Sequence, residues 1–360
     1  MRIVNIALDT SILDSYSLVA NRARTYAKLV ERYDLIIPAQ HCMCVNLASN
    51  CNAYSVSGST KVQQLYHIYT EMRQLMRTQH YDVVTVQDPY YIGFVGYLLA
   101  RKFRIGLEVQ IHGWERYAGL RKVLAKFLIP RANVVRTVSQ RLKKQLVREF
   151  GVAEEQIIAV PIFTALQVTH HEIQNKNNAA FIFLTVCRLV PIKRIDLQIK
   201  AMAELIQKYP QKELWIAGDG REKKKLEAMS AAHGVQHAIK FLGWQDDLTR
   251  IYAQAHAFIL SSDYEGWGLA VIEAASYGVP VIMTDVGCAG EVIIHEQSGL
   301  VIPVGDVAAL VASMLRMYTD TALQQKLAQG AYQALKKLPT KKATLALYKK
   351  SWEKACAIQK

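Results

Sequence analysis

Ser262-Asp263-Tyr264-Glu265-Gly266-Trp267-Gly268-Leu269-Ala270-Val271-Ile272-Glu273-Ala274 carries the strongest fold signal in the chain. Two glutamates enclose seven residues, and a Gly-x-Gly follows the first. Leu269, Val271, Ile272, Ala274 and Ala275 then have the apolar spacing of a helix. Tyr277-Gly278-Val279-Pro280 ends it, with glycine suited to the left-handed cap and proline just beyond. Glu265 is therefore expected in the loop before a helix and Glu273 inside that helix. The amides of Gly266, Trp267, Gly268 and Leu269 lie where a helix start leaves N–H groups without acceptors, and the helix dipole favours an anion there. Carboxylates accept hydrogen bonds from hydroxyls. Anion-binding amides beside hydroxyl-binding carboxylates suit a phosphorylated sugar or a nucleotide sugar.

Upstream, Val186-Cys187-Arg188-Leu189-Val190-Pro191-Ile192-Lys193-Arg194 follows a candidate strand. Arg188 and Lys193 lie five apart across a proline turn, so both can reach one ligand. Arginine can grip a phosphate through two parallel N–H bonds, and lysine supplies a point charge. The bland reading is a pair of surface cations, with the glutamates as ordinary acids on a capped surface helix.

Together with Leu248–Ser262, Gly278–Ile282 and Gly290–Ile293, these segments resemble glycosyltransferase family 4, the glycosyl transferases group 1, whose signature is Glu-seven-Glu. The resemblance covers most of residues 180–305 and is weaker over 1–165. It implies α/β architecture of the GT-B type: two Rossmann-like parallel-sheet domains facing across a cleft. It also implies transfer from a nucleotide-diphosphate sugar, UDP- or GDP-linked, with retention of configuration. In that reading Arg188 and Lys193 neutralise the departing diphosphate. Glu265, with the amides of Gly266 to Leu269, meets the transferred sugar, and Glu273 takes the ribose hydroxyls. The loop bearing Gly243, Trp244 and Leu248 receives the base. His112, closing Gln110-Ile111-His112-Gly113, matches a family histidine that contacts the donor sugar; a lone strand-end histidine is otherwise structural.

There are departures. Cys187 and Arg194 stand where the family has glycine. No glycine pair occurs near Ser17-Leu18, and Pro161-Ile162-Phe163-Thr164 replaces an Asn-Gly. Asp14 and Tyr16 in this first loop are the acceptor-side candidates.

Short apolar runs alternate with helical patterns, as a parallel α/β chain requires. Candidate strands are Ile3–Ala7, Asp34–Pro38, Val83–Gln87, Gly106–Ile111, Val134–Val138 and Ile157–Val160. The second half adds Phe181–Cys187, Leu214–Gly218, Ile239–Gly243, Phe258–Ser261, Val281–Thr284 and Leu300–Pro303. Residues 1–166 are read as the acceptor-side domain, 167–179 as a polar linker, and 180–338 as the donor domain. Residues 339–360 are read as a basic helix that, by the resemblance, crosses back to the first domain.

Composition narrows the alternatives. The 360 residues carry a formal charge of +14, which calls for an anionic partner. No apolar run approaches the roughly 18 residues of a membrane span. The six cysteines show no disulfide framework, so a cytoplasmic location is expected. Asp-x-Asp is absent, and His41, Cys42, Cys44 and Cys51 match no common zinc spacing, so no metal and no resident cofactor are expected. Gly218-Asp219-Gly220 lacks the third glycine of a dinucleotide fingerprint. A glycosidase pair is disfavoured: eight helical residues rise about 12 Å, whereas a retaining hydrolase needs carboxyls roughly 5–5.5 Å apart.

Trp114–Leu128 has mostly helical spacing, and residues 116–148 carry ten cations with no acidic residue between them. A basic amphipathic helix suits an anionic membrane surface, which would place the protein peripherally on the inner face of the membrane. A core-facing stripe with a solvated basic back is the equal alternative. No nucleic-acid motif accompanies the charge, and nucleic acid is not an expected partner. The acceptor is expected to be a glycan or lipid-linked precursor in cell-envelope glycan synthesis. A non-catalytic sugar-nucleotide-binding or partner subunit of the same fold is the alternative; loss of several of Arg188, Lys193, Glu265 and Glu273 would mark it.

Overall fold

The computed structural model describes residues 1–114, 117–163 and 180–357. The chain divides into two compact units: Met1–Phe163 with Pro339–Lys360, and Thr164–Leu338. The 167–179 linker lies outside the described residues.

In the first unit the elements run β1 (Arg2–Ile6), α1 (Leu18–Ala27), β2 (Arg32–Pro38), β3 (Met43–Ala48), β4 (Cys51–Val56), α2 (Lys61–Thr78), β5 (Val83–Val86), α3 (Tyr91–Phe103), β6 (Gly106–Ile111), α4 (Gly119–Leu128), β7 (Val134–Thr137), α5 (Gln140–Phe150) and β8 (Ile157–Ala159). The sheet order is β3-β4-β2-β1-β5-β6-β7-β8. Val, Ile and Leu fill the central strands because a parallel sheet is covered on both faces; Val83, Val84, Val86 and Val134 are fully buried. The all-parallel expectation needs one correction. β3 and β4 form an antiparallel hairpin at the sheet edge, closed by the Ser49-Asn50 turn. A short connection of that kind can return the chain only antiparallel.

The second unit runs β9 (Phe181–Val186), α6 (Ile195–Ile206), β10 (Lys212–Ala217), α7 (Lys223–Ala232), β11 (Ile239–Gly243), α8 (Thr249–Gln254), β12 (Ala257–Leu260), α9 (Leu269–Ser276), β13 (Val281–Thr284), β14 (Leu300–Ile302), α10 (Val307–Thr319) and α11 (Thr321–Lys336). Its sheet is wholly parallel, in the order β11-β10-β9-β12-β13-β14. The order reverses between β9 and β12. Open parallel sheets bind ligands outside the carboxyl ends of the strands at such a switch point.

The last helix, α12 (Lys341–Ala357), belongs to the first unit. Its Trp352 is fully buried and packs with Tyr26, Tyr33 and Tyr348 at ring distances of 5.6–6.1 Å. Ser351 and the Trp352 indole N–H both donate to Glu108 on β6, the latter at 3.2 Å. Glu108 also receives Arg136 Nε from β7 at 3.0 Å. The basic stretch therefore does not form one surface. Arg136, counted among its ten cations, is 5% exposed and paired in the interior. The helix there begins only at Gly119, while Trp114 and Tyr117 pack with Phe150 at 5.9 and 5.4 Å. Arg116 lies outside the described residues.

Candidate donor site

β9 and β12 flank the switch of the second unit, and the loops leaving their carboxyl ends carry Arg188 and Lys193, the candidate phosphate clamp, and the Glu-seven-Glu motif. After β9 the chain turns through a single 3₁₀ turn, Pro191–Lys193, and Arg194 caps it in the left-handed conformation at φ 50°. Lys193 Nζ donates to Glu265 Oε1 at 2.5 Å. This bond joins two motifs 72 residues apart. The Arg188 guanidinium is exposed and has no partner among the described residues.

The loops are stitched together by more than that pair. Ser261 Oγ donates to the carbonyls of Lys193 and Arg194 at 2.9 and 3.0 Å, and receives Gln198 Nε2 at 2.8 Å. Ser262 Oγ donates to Glu265 Oε1 at 2.8 Å. Arg194 forks onto Asp196 and reaches Asp263 at 3.0 Å. Arg194, which could have faced water or added charge for a ligand, thus serves as a brace between the two loops.

Close backbone approach dictates two glycines. A Cβ at Gly218 would sit 1.9 Å from the Cys187 carbonyl oxygen, so Gly218-Asp219-Gly220 is the tight turn that supports the clamp loop. A Cβ at Gly287 would meet the Trp267 carbonyl oxygen at 2.7 Å and Glu265 Cβ at 2.9 Å. Burial pushes the Cys187 thiol up to about 12, so it is no nucleophile at neutral pH.

α9 begins at Leu269, with Gly268 as its N-cap at φ 91°. Gly266 lies beside Glu265 in the loop, while the Trp267 indole is 3% exposed. Trp267 can therefore offer a ligand only its backbone. Glu273 sits on the helix and accepts from the Tyr252 hydroxyl on α8 at 3.2 Å. Burial pushes its carboxyl above the usual range, with the Tyr252 bond opposing. Tyr252 in turn stacks on Tyr277 at 5.1 Å. On the β11–α8 loop, Gly243 has φ 70°. Trp244 is 71% exposed, and Leu248 is half-buried at the start of α8.

Sequence reasoning missed Ser261, Ser262, Tyr252 and Gly287 as parts of this site. In sequence Ser261-Ser262 reads only as the end of the Leu248–Ser262 segment, and Tyr252 as an ordinary core aromatic.

In the first unit, His112 follows β6 and lies within 3.2 Å of Gln110 Oε1. Part of the ring meets solvent, yet burial and then the Arg136 guanidinium hold its pKa down to about 4, so the imidazole is neutral at neutral pH. In the first loop Asp14 accepts from the Tyr16 amide at 2.9 Å, a local turn, and Tyr16 is 90% exposed. Ser17, at the place where this sequence lacks the glycine pair of the resembled family, caps α1 by accepting from the Ala20 amide.

Residues 50–166 match Glycosyltransferase Family 4, and residues 167–334 match Glycosyl transferases group 1. The chain belongs to this glycosyltransferase family. The lipopolysaccharide core biosynthesis glycosyltransferase LpsD of Rhizobium meliloti is 29% identical over 47% of this chain and 48% of its own length. The match spans only 28–64% of the lengths of the first curated relatives. Among solved structures, sucrose-phosphate synthase from Thermosynechococcus elongatus superposes with a TM-score of 0.83 at 19% identity, covering 99% of each chain. Anabaena HepE, solved with UDP, gives a TM-score of 0.78 at 19% identity over 99% of this chain and 100% of its own. The fold is GT-B.

Proposed function

We propose that this glycosyltransferase takes a hexose-type sugar from a UDP- or GDP-linked donor and passes it to a hydroxyl of a cell-envelope glycan or lipid-linked precursor. The observation that carries the reading is the Lys193–Glu265 bond at the switch point, beside the start of α9. A diphosphate arriving there competes with Glu265 for the lysine ammonium. Arg188 and the helix-start amides add positive potential, so charge developing on the leaving phosphate is stabilised without a metal ion. Glu265, once released, accepts from sugar hydroxyls, and Glu273 accepts from the ribose. In the retaining course, the bond from C1 to the diphosphate oxygen breaks as the acceptor oxygen bonds C1 on the same face. The acceptor proton passes to a leaving phosphate oxygen. The HepE complex with UDP and the envelope role in LpsD's name support the donor and acceptor classes.

A thermal-shift panel of nucleotides and nucleotide sugars tests this. A ligand at a hundredfold excess over its Kd stabilises the native state by about 2.7 kcal/mol. Stabilisation by one nucleoside diphosphate and its sugar is expected; indifference to every member contradicts the reading.

Membrane attachment rests on α4. Leu120 and Val123 are 61% and 63% exposed, beside exposed Lys122 and Lys126. No helix among the described residues is long and apolar enough to cross a membrane. Peripheral binding at the inner leaflet would thus use this helix, each basic residue contributing about 1 kcal/mol at an anionic surface. Co-sedimentation with anionic vesicles, weakened by Lys122→Glu and Lys126→Glu, is the expected result; equal indifference to anionic and neutral vesicles contradicts it.

A further inference from the structure

A continuous hydrogen-bond chain runs from α12 through β6 and β5 to His112. Glu108 is fully buried and faces Arg136 and the Trp352 indole, both of which can only donate. Its carboxylate is therefore an acceptor. Thr85 Oγ1 lies 2.5 Å from Glu108 Oε2 and must spend its single proton there. The Gln110 side chain lies 2.6 Å from the same Thr85 oxygen. With its proton spent, that oxygen can only accept, so Gln110 turns its NH₂ end toward Thr85. Its carbonyl end is then left for His112 Nε2, 3.2 Å away. A carbonyl cannot donate, so His112 must carry its proton on Nε2. In the neutral ring Nδ1 is then a lone-pair acceptor. Among the described residues Nδ1 has no hydrogen-bond partner.

We infer that Thr85 and Gln110 are positioning residues that hold His112 as the Nε2-protonated tautomer, leaving Nδ1 to accept from a ligand hydroxyl. The direction of every bond in the chain follows from one buried carboxylate. The low pKa of His112 keeps the tautomer relevant across neutral pH, since a charged ring would have no free acceptor. The proposal rests on the reading of His112 as a sugar-contacting residue and adds how its acceptor nitrogen is selected. It also gives the buried Glu108 a role beyond packing: Arg136 alone would satisfy its charge, whereas the Thr85 bond sets the polarity of the chain.

The test is ¹⁵N-histidine NMR on the full-length protein, with His112 assigned by its loss in His112→Asn. The wild type is expected to show Nε2 as the protonated, pyrrole-type nitrogen and Nδ1 as the pyridine-type one. Thr85→Val removes the hydroxyl that orients Gln110, so the pattern should move toward a mixture, and Thr85→Ser should restore it. Gln110→Leu should produce the same mixture by a different route, so the test survives if one variant fails to fold. With substrate, Thr85→Val should lower kcat by about five- to tenfold, the worth of one buried hydrogen bond, while KM for the donor changes less. A wild-type Nδ1–H tautomer overturns the proposal. So does a pattern unchanged in both Thr85→Val and Gln110→Leu. Neither NMR result depends on transfer: absent activity with the expected tautomer faults the sugar-transfer reading, and activity with the wrong tautomer faults the hydrogen-bond chain.

Discussion

The two units are both parallel α/β sheets, yet they place their charges differently. In the second unit the charged groups of the candidate site stand at loop rims beyond the strand ends. Lys193 and Glu265 keep 18% and 13% of their side-chain surface exposed, and Arg194 and Asp263 about a third. In the first unit they lie inside, where Glu108 is fully buried against Arg136. Rim charges can trade partners with an incoming ligand. A buried pair cannot, and acts by fixing its neighbours. One unit is thus suited to binding a charged substrate, and the other to orienting a neutral side chain.

Removing half of the buried pair should have the largest effect. Glu108→Ala leaves Arg136 uncompensated in the interior and also frees Ser351 and Trp352 of α12. Loss of about 3–5 kcal/mol is expected by chemical denaturation. A change under about 1 kcal/mol, typical of exposed pairs, would erase the contrast between the units.

At the rim the balance should reverse. Arg188→Ala and Lys193→Ala should each lower turnover by about 10²-fold or more, through lost stabilisation of the leaving diphosphate. The stability of Arg188→Ala, an exposed cation, should change by less than about 1 kcal/mol, and that of Lys193→Ala by less than that of Glu108→Ala, because Glu265 keeps some contact with water. Near-wild-type turnover in both would reject the clamp.

The finest division lies within the second unit, between the two ends of the motif. Glu273→Gln should weaken free nucleoside diphosphate by roughly tenfold, since one hydrogen bond to a charged group is worth about 1.5–3 kcal/mol and part of it survives in the amide. Glu265→Gln should leave that affinity nearly unchanged and reduce transfer. Calorimetry giving the opposite pattern would mean the sugar and ribose ends are exchanged.

The same contrast explains what could be read from the chain alone. The second unit's strands are mostly apolar runs, and each matches an expected run to within two residues at either end. Its site motifs are local, with glycine, proline and charge crowded into a few residues. The hydrogen-bond chain of the first unit could not be read this way. Thr85, Glu108, Gln110 and Arg136 meet because β5, β6 and β7 are adjacent in register, Thr85 beside Glu108 and Gln110 beside Arg136. Ser351 and Trp352 reach it from more than 240 residues away. The edge hairpin was hidden for another reason: its Ser49-Asn50 turn lacks the glycine that marks most two-residue turns.

In the proposed function the switch point of the second unit binds a nucleoside diphosphate through Arg188, Lys193 and Glu273. Calorimetric titration of UDP and of GDP, with EDTA present, tests it most directly. One of the two is expected to bind at a single site per chain, with affinity lowered in Lys193→Ala and in Glu273→Gln. Binding of neither nucleotide to the wild type, or equal binding by wild type and both variants, would contradict it.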